Sequence, residues 1–382
     1  MLLGRFSGLI RDLVVIAQLG LTGNADLAVL AISIPDLLTG LLIGGAVSAV
    51  FVPEFHRQTQ HESAAAGHQL VGQSLLAIGL VSVALALLLG LVGRWLVTLL
   101  APGFEGTQAI RAIQIVRITL VAFPCCTLAA VTGAALQAKG RVATPAFGTL
   151  IFNACVIVGV LYTVRSGAMS QLAVAVIVGA ALRLGSQLLA CQRAKLFVGS
   201  LHGLFSFSRL NRKIFVRYVH TLTAIVLTIL LPVISRRYAS HFEGGIAGFT
   251  FAYKLVELPL GFFSAILTMV YFPRISALFT AGQSRQGERL ISRLGGWTLV
   301  ASVPMVVFLT SAAQAIVGLL FRHGDLGADG IERIAGLARI AFAALPALIL
   351  SLLAMSVFHA RQRTGFPFVV TIVLAMMHVA LS

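Results

Sequence analysis

Continuous apolar runs of about 20 residues recur along the whole chain, and they constrain it more than any other feature. A run of that length matches a helix crossing a bilayer. Membrane barrel strands would instead alternate in polarity over about ten residues. Eleven runs stand out, near 3–22, 27–52, 71–100, 112–137, 144–163, 171–190, 216–235, 246–272, 295–320, 334–358 and 366–382. Only 10% of the 382 residues are charged, 58% are hydrophobic, and the mean hydropathy is +0.98. A soluble domain carries about 25% charged residues. This chain lacks the charge to cover a water-facing surface, which excludes soluble enzymes and soluble binding modules. The expected class is an all-α polytopic membrane protein.

The net charge is +16. The basic residues sit mostly in short loops between apolar runs, so the membrane accounts for them and nucleic acid is not an expected partner. One set of alternate loops holds Arg57, Lys139, Arg141, Arg193, Lys195, Arg209, Arg212, Lys213, Arg217, Arg274, Arg285, Arg289, Arg293, Arg361 and Arg363. The other set holds Arg165, Arg236, Arg237, Arg322 and Arg333, with the acidic residues Glu105, Glu243, Asp325, Asp329 and Glu332. The positive-inside rule places the first set, and with it the N-terminus, in the cytoplasm. Cys125, Cys126, Cys155 and Cys191 all lie in or beside apolar runs without a CxxC pair, so neither structural zinc nor a disulfide framework is expected. Met1 to Asp12 lacks a cleavage pattern and does not read as a signal peptide.

Two segments recur at nearly one offset. Pro35-Asp36-Leu37-Leu38-Thr39-Gly40 with Phe51-Val52-Pro53-Glu54 resembles Val256-Glu257-Leu258-Pro259-Leu260-Gly261 with Tyr271-Phe272-Pro273-Arg274. Ala138-Lys139-Gly140-Arg141 with Pro145 resembles Ala360-Arg361-Gln362-Arg363 with Pro367. Pro53 to Pro273 is 220 residues and Pro145 to Pro367 is 222. Two matches at one spacing indicate duplication. Six spans separate them, so the halves are parallel repeats about an axis along the membrane normal, an arrangement that places substrate between the halves. The expected division is an N-lobe over 1–195, a cytoplasmic linker over 196–215 and a C-lobe over 216–382. The second half has five spans against six, so the chain reads as truncated at its C-terminus.

A basic residue at bilayer depth costs about 2.5–3.5 kcal/mol on insertion scales. Arg117, Arg183 and Arg339 lie toward helix ends and read as snorkelling or structural residues. Lys254 and Glu257 are i,i+3 neighbours and can pair on one helix face. Asp26 and Asp36 lie in the second span. Arg5 and Arg11 bracket Gly8 with no acid between them, and Asp12, adjacent in sequence, is expected on another face. Two guanidiniums in a cavity suit a diphosphate, because arginine binds phosphate oxygens in pairs. Arg5, Arg11 and Lys254 are therefore expected to face one cavity, with Asp26 near its outer end. No Walker A, HExxH or GxSxG motif is present. The Asp325, Asp329, Glu332 cluster lacks EF-hand spacing and reads as a solvated loop. The chain therefore reads as a transporter rather than an enzyme, with no cofactor or metal. Its energy must come from an ion gradient, the membrane potential or the substrate's own gradient.

Gly4-Arg5-Phe6-Ser7-Gly8-Leu9-Ile10-Arg11-Asp12 resembles the opening SR-x-x-G-x-x-RD of the MurJ/MviN lipid II flippases. The later aspartate of that family falls on Asp26. Pro35 to Pro53 resembles its PNLLRR…GAFSQAFVP stretch, and Ala252 to Pro259 its ADRLMEFP stretch. Ala360 to Pro367 is similar to its SRQ…KTP stretch. The resemblance runs in order along the whole chain. It implies the fourteen-helix fold of the multidrug/oligosaccharidyl-lipid/polysaccharide exporters, with about eleven helices here in two lobes around a central cavity. It also implies alternating access that carries undecaprenyl-diphosphate-linked peptidoglycan precursor across the bacterial inner membrane. Arg5, Arg11 and Asp26 match functional positions of the family, and Lys254 stands for a functional arginine. Substrate contact is thus expected at Arg5, Arg11, Asp26, Lys254 and Glu257. The partners implied are the lipid-linked oligosaccharide, membrane lipids, and a cell-wall or polysaccharide assembly complex. Two positions depart from the pattern: the paired arginines after PNLL are Thr39 and Gly40, and the acid of EGAF is Gly44. The family's last three helices, two of which form its lipid-tail groove, have no counterpart in the sequence. The alternatives left open are a flippase for exopolysaccharide lipids, a cation-coupled drug exporter, and an inactive paralogue serving as a membrane scaffold.

Overall fold

The computed structural model describes residues 2–43, 51–196, 233–271, 274–275, 278–279, 283–321 and 326–360. Every long regular element among them is a helix. The expected linker from 197 onward, nearly all of the 216–235 span and the 366–382 span lie outside the described residues, as do Gly44 and the repeated Pro273, Arg361, Arg363 and Pro367. The chain divides into two compact units, Met1–Gly244 and Gly245–Ser382.

The first unit begins with α1 (Leu2–Leu19) and α2 (Gly23–Leu42). Thr22 starts α2 by accepting the Ala25 N–H on its hydroxyl, which satisfies one of the four free donors of the first turn. A short helix, α3 (Val52–His61), leads to α4 (Ala64–Leu91), capped in the same way by Ser63. Then come α5 (Gly93–Leu100), α6 (Gly106–Thr119), α7 (Ala122–Ala138), α8 (Ala143–Ser166) and α9 (Ser170–Arg193). Helix α8 packs between α1 and α9, α9 also packs on α7, and α7 on α4. The unit has an apolar core of Phe51, Phe55, Leu70, Val71, Leu136, Cys191 and their neighbours. Residues 233–244 pack back onto this unit: Ser240 Oγ accepts the Gly103 N–H at 3.0 Å, and Arg237 donates to the Leu99 carbonyl at 3.2 Å.

The second unit comprises α10 (Gly245–Ile266), which ends in a π-helical turn over Leu267–Tyr271, then α11 (Ser284–Ser311), α12 (Ala313–Phe321), α13 (Ala328–Ala343) and α14 (Leu345–Ala360). Its inner faces join Leu267, Ile275, Leu294 and Leu353. Phe251 of α10 meets Phe321 of α12.

The two units share one element order. The long helices α4 and α11 start 220 residues apart, at Ala64 and Ser284, and both span 28 residues. The short helices α5 and α12 start at Gly93 and Ala313, again 220 apart. A broken span follows in each unit, α6 with α7 bent by 42° and α13 with α14 bent by 43°. The duplication read from two short motifs thus extends to every helix of the second unit.

The 112–137 and 334–358 spans, each read as one continuous run, are bent helix pairs. The cause is local: Pro124 and Pro346, 222 residues apart, have no N–H to donate into the preceding turn. At the breaks the ladder shifts to three-residue steps, Val121 N–H to Ile118 O and Ala344 N–H to Ala341 O. Six helices among the described residues are long and apolar enough to cross a membrane, or eight if each bent pair is one span.

Candidate functional site: a fixed arginine in the first helix

Arg11 is the tenth of the 18 residues of α1, so it sits about halfway along the helix. Its guanidinium is fixed from two sides. Nε and Nη2 donate to Asp12 Oδ1 at 2.9 and 2.8 Å. Nη1 donates to Asn153 Oδ1, from the middle of α8, at 3.1 Å. Asn153 in turn donates from Nδ2 to Ser7 Oγ at 2.8 Å, and Ser7 donates to the Gly4 carbonyl at 3.0 Å. The arginine side chain is 12% exposed and the aspartate 9%. A guanidinium has five N–H donors. Three are committed here, which leaves one N–H on each terminal nitrogen. Asp12 Oδ2 is buried and accepts no hydrogen bond.

This arrangement corrects one expectation. Asp12 does not point away from Arg11 but forms an ion pair with it. Adjacent helical residues diverge by about 100°, but the arginine stem is long enough for its head to fold back onto the neighbouring carboxylate. Arg11 is therefore charge-neutralised within its own helix, and the surplus of buried cations is smaller than the sequence implied. Asn153 and Ser7 were not singled out from the sequence. The available signal was a lone amide inside the apolar run of α8, since polar groups at bilayer depth need a partner.

Asp26 belongs to a different cluster. It lies in the first turn of α2, has no exposed surface, and accepts the Gly244 N–H on Oδ2 at 3.0 Å. Gly244 has φ +69°, and its α-carbon lies so close to the Leu21 backbone that a Cβ would overlap the Leu21 carbonyl. Only glycine suits both demands. Lys254 and Glu257 lie on α10 in the second unit, partly exposed, and pair at 2.7 Å as their spacing predicts. Arg5 lies on α1, with its side chain outside the described ones.

Of the remaining intramembrane charges, Arg117 donates from Nε to the Gly90 carbonyl near the end of α4, a C-terminal helix contact that explains it structurally. Arg339 takes the equivalent place on α13, 222 residues on, and is exposed, as is Asp36 on α2. Arg183 Nε and Gln187 Nε2, one turn apart on α9, are buried donors without an acceptor. Among the described residues no group of three His, Cys, Asp or Glu side chains could hold a metal ion.

Known proteins resemble this chain in sequence and in fold. A family model described as lipid II flippase MurJ matches residues 16–382. A probable lipid II flippase MurJ of Rhizobium tropici is 25% identical over 390 residues, covering 99% of this chain and 72% of the relative. A lipid II flippase MurJ of Burkholderia cenocepacia is 24% identical, covering 96% and 72%. Among solved structures, a lipid II flippase MurJ in an inward closed conformation superposes with a TM-score of 0.81 at 18% identity, covering 98% of this chain and 77% of that one. An inward-facing multidrug resistance transporter of the MATE family superposes with a TM-score of 0.73 at 14% identity. The fold is thus that of the MurJ and MATE transporters, all-helical with repeated lobes. On the match over residues 16–382, the chain belongs to the lipid II flippase MurJ family.

Proposed function

We propose that this protein carries a lipid-linked precursor of peptidoglycan, built on undecaprenyl diphosphate, across the bacterial cytoplasmic membrane by alternating access. The observation that carries the reading is Arg11: a guanidinium midway along α1, held by Asp12 and by Asn153 of the apolar helix α8, with an N–H left on each terminal nitrogen. Its charge is offset by Asp12 within α1. The remaining donors offer charge-assisted hydrogen bonds to a diphosphate oxygen. Arg5, six residues earlier and about 9 Å along the helix, supplies a second cation. Within the second unit, Lys254 pairs with Glu257 at 2.7 Å on one face of α10. Asp26, away from Arg11, ties the start of α2 to Gly244.

No bond is made or broken in the reaction. The protein lowers the barrier for a polar head crossing an apolar layer. With the N-terminus in the cytoplasm, the guest moves outward, and an inside-negative potential favours exit of negative charge by about 2.3 kcal/mol per charge per 100 mV. No nucleotide is needed.

The test is transport in cells depleted of their own lipid II flippase and expressing this protein, read as precursor reaching the outer leaflet. Arg11→Ala should abolish transport at unchanged protein level. Arg11→Lys should restore only part, because the ammonium keeps the charge but loses the planar fork. Normal transport by both Arg5→Ala and Arg11→Ala would overturn the reading and favour a scaffold.

A further inference from the structure

We propose that Asn153 is a positioning residue for the diphosphate: it acts through Arg11, with Ser7 as its brace. This rests on the reading of Arg11 as the diphosphate ligand. The observation is a continuous line of hydrogen bonds from the α1 backbone to α8 and back. Gly4 O accepts from Ser7, Ser7 Oγ accepts from Asn153 Nδ2, and Asn153 Oδ1 accepts from Arg11 Nη1. The amide is 2% exposed, so water does not compete for it. Both of its ends are engaged, which fixes the amide plane and, through Oδ1, the rotation of the guanidinium.

Asp12 alone cannot do this. It is adjacent to Arg11 on the same helix, and both of its bonds go to one oxygen, Oδ1, so the guanidinium can still pivot about that atom. A third contact from another helix stops the pivot. The gain is preorganisation. A free arginine head loses rotamer freedom when it grips a ligand, whereas a head already held does not. The contact from α8 also fixes which N–H groups stay uncommitted, one on each of Nη1 and Nη2, and so which edge meets the phosphate.

Asn153 touches no ligand in this scheme, and its effect should appear only where Arg11 and a diphosphate are both present. The experiment measures binding to the purified protein in detergent of two probes: farnesyl diphosphate, an isoprenoid diphosphate, and farnesol, the same chain without phosphate. Asn153→Ala should weaken farnesyl diphosphate about tenfold, the scale of one hydrogen bond to a charged group. Farnesol affinity should not change. In an Arg11→Ala background, the same Asn153→Ala change should have no further effect on farnesyl diphosphate, because the route through Arg11 is gone. Should Asn153→Ala fail to fold, Ser7→Ala removes only the brace and should weaken the diphosphate about threefold. An equal loss for both probes, or an equal loss with and without Arg11, would make Asn153 merely structural and overturn the proposal. So would unchanged diphosphate affinity in Asn153→Ala, or in Ser7→Ala where that variant stands in for it, while Arg11→Ala binds weakly. If Arg11→Ala itself binds farnesyl diphosphate normally, the assignment of Arg11 falls and this inference falls with it.

Discussion

A carboxylate with no exposed surface inside a membrane protein survives only where donors meet it. Asp26 meets the Gly244 N–H, a peptide donor 218 residues away. Removing the carboxylate leaves that N–H buried and unpaired, at about 1–3 kcal/mol. Asp26→Ala should therefore lower the thermal unfolding temperature in detergent. Asp26→Asn, which keeps an acceptor oxygen, should lower it less. Equal stability of Asp26→Ala and the parent would deny the tie. At this scale the sequence was legible only for near neighbours. Lys254 and Glu257 lie one turn apart, so their pairing follows from helix geometry, and it is found. The Arg11–Asn153 contact joins residues 142 apart, and no local pattern announces it. Arg11–Asp12 was misread because spacing fixes where a side chain leaves the helix, not where a long one ends.

At the scale of elements, helices α8 and α9 form a close seam. A Cβ at Gly159 would overlap the Ala175 side chain, and one at Gly179 would press on Cys155 and Phe152. Gly159→Leu should cost about 1–3 kcal/mol through overpacking. Gly90, with nothing within 4 Å of its missing Cβ, is the control. Gly90→Ala should be neutral or raise stability by up to about 1 kcal/mol, as expected for alanine in a helix. Thermal unfolding of both variants separates crowding at the seam from a general effect of glycine loss. Apolar runs located the helices, because every turn of a membrane helix must be apolar. They did not locate the bends at 120–121 and 344, because a bent span is as apolar as a straight one. Proline alone does not locate them either: Pro124 and Pro346 lie at the bends, but Pro35, Pro259 and Pro304 sit inside helices that run on unbroken.

At the scale of the molecule, the repeat and the loop charges make one statement about orientation. The positive-inside rule predicts that the stretch 191–217, with its six basic residues, is cytoplasmic and the stretch 321–333 external. Cys125, Cys126, Cys155 and Cys191 are free thiols and must first be replaced. In that background, an impermeant reagent added outside should label Gly327→Cys and spare Gly203→Cys. The opposite pattern would invert the protein in the membrane.

The bond between Asp26 and Gly244 also sets a clock for biogenesis. Ribosomes add about 5–20 residues per second, and 218 residues separate donor from acceptor. The α2 carboxylate therefore waits roughly 10–40 s after its own synthesis before Gly244 exists to meet it. During that interval a charged group is committed to a membrane segment without this partner.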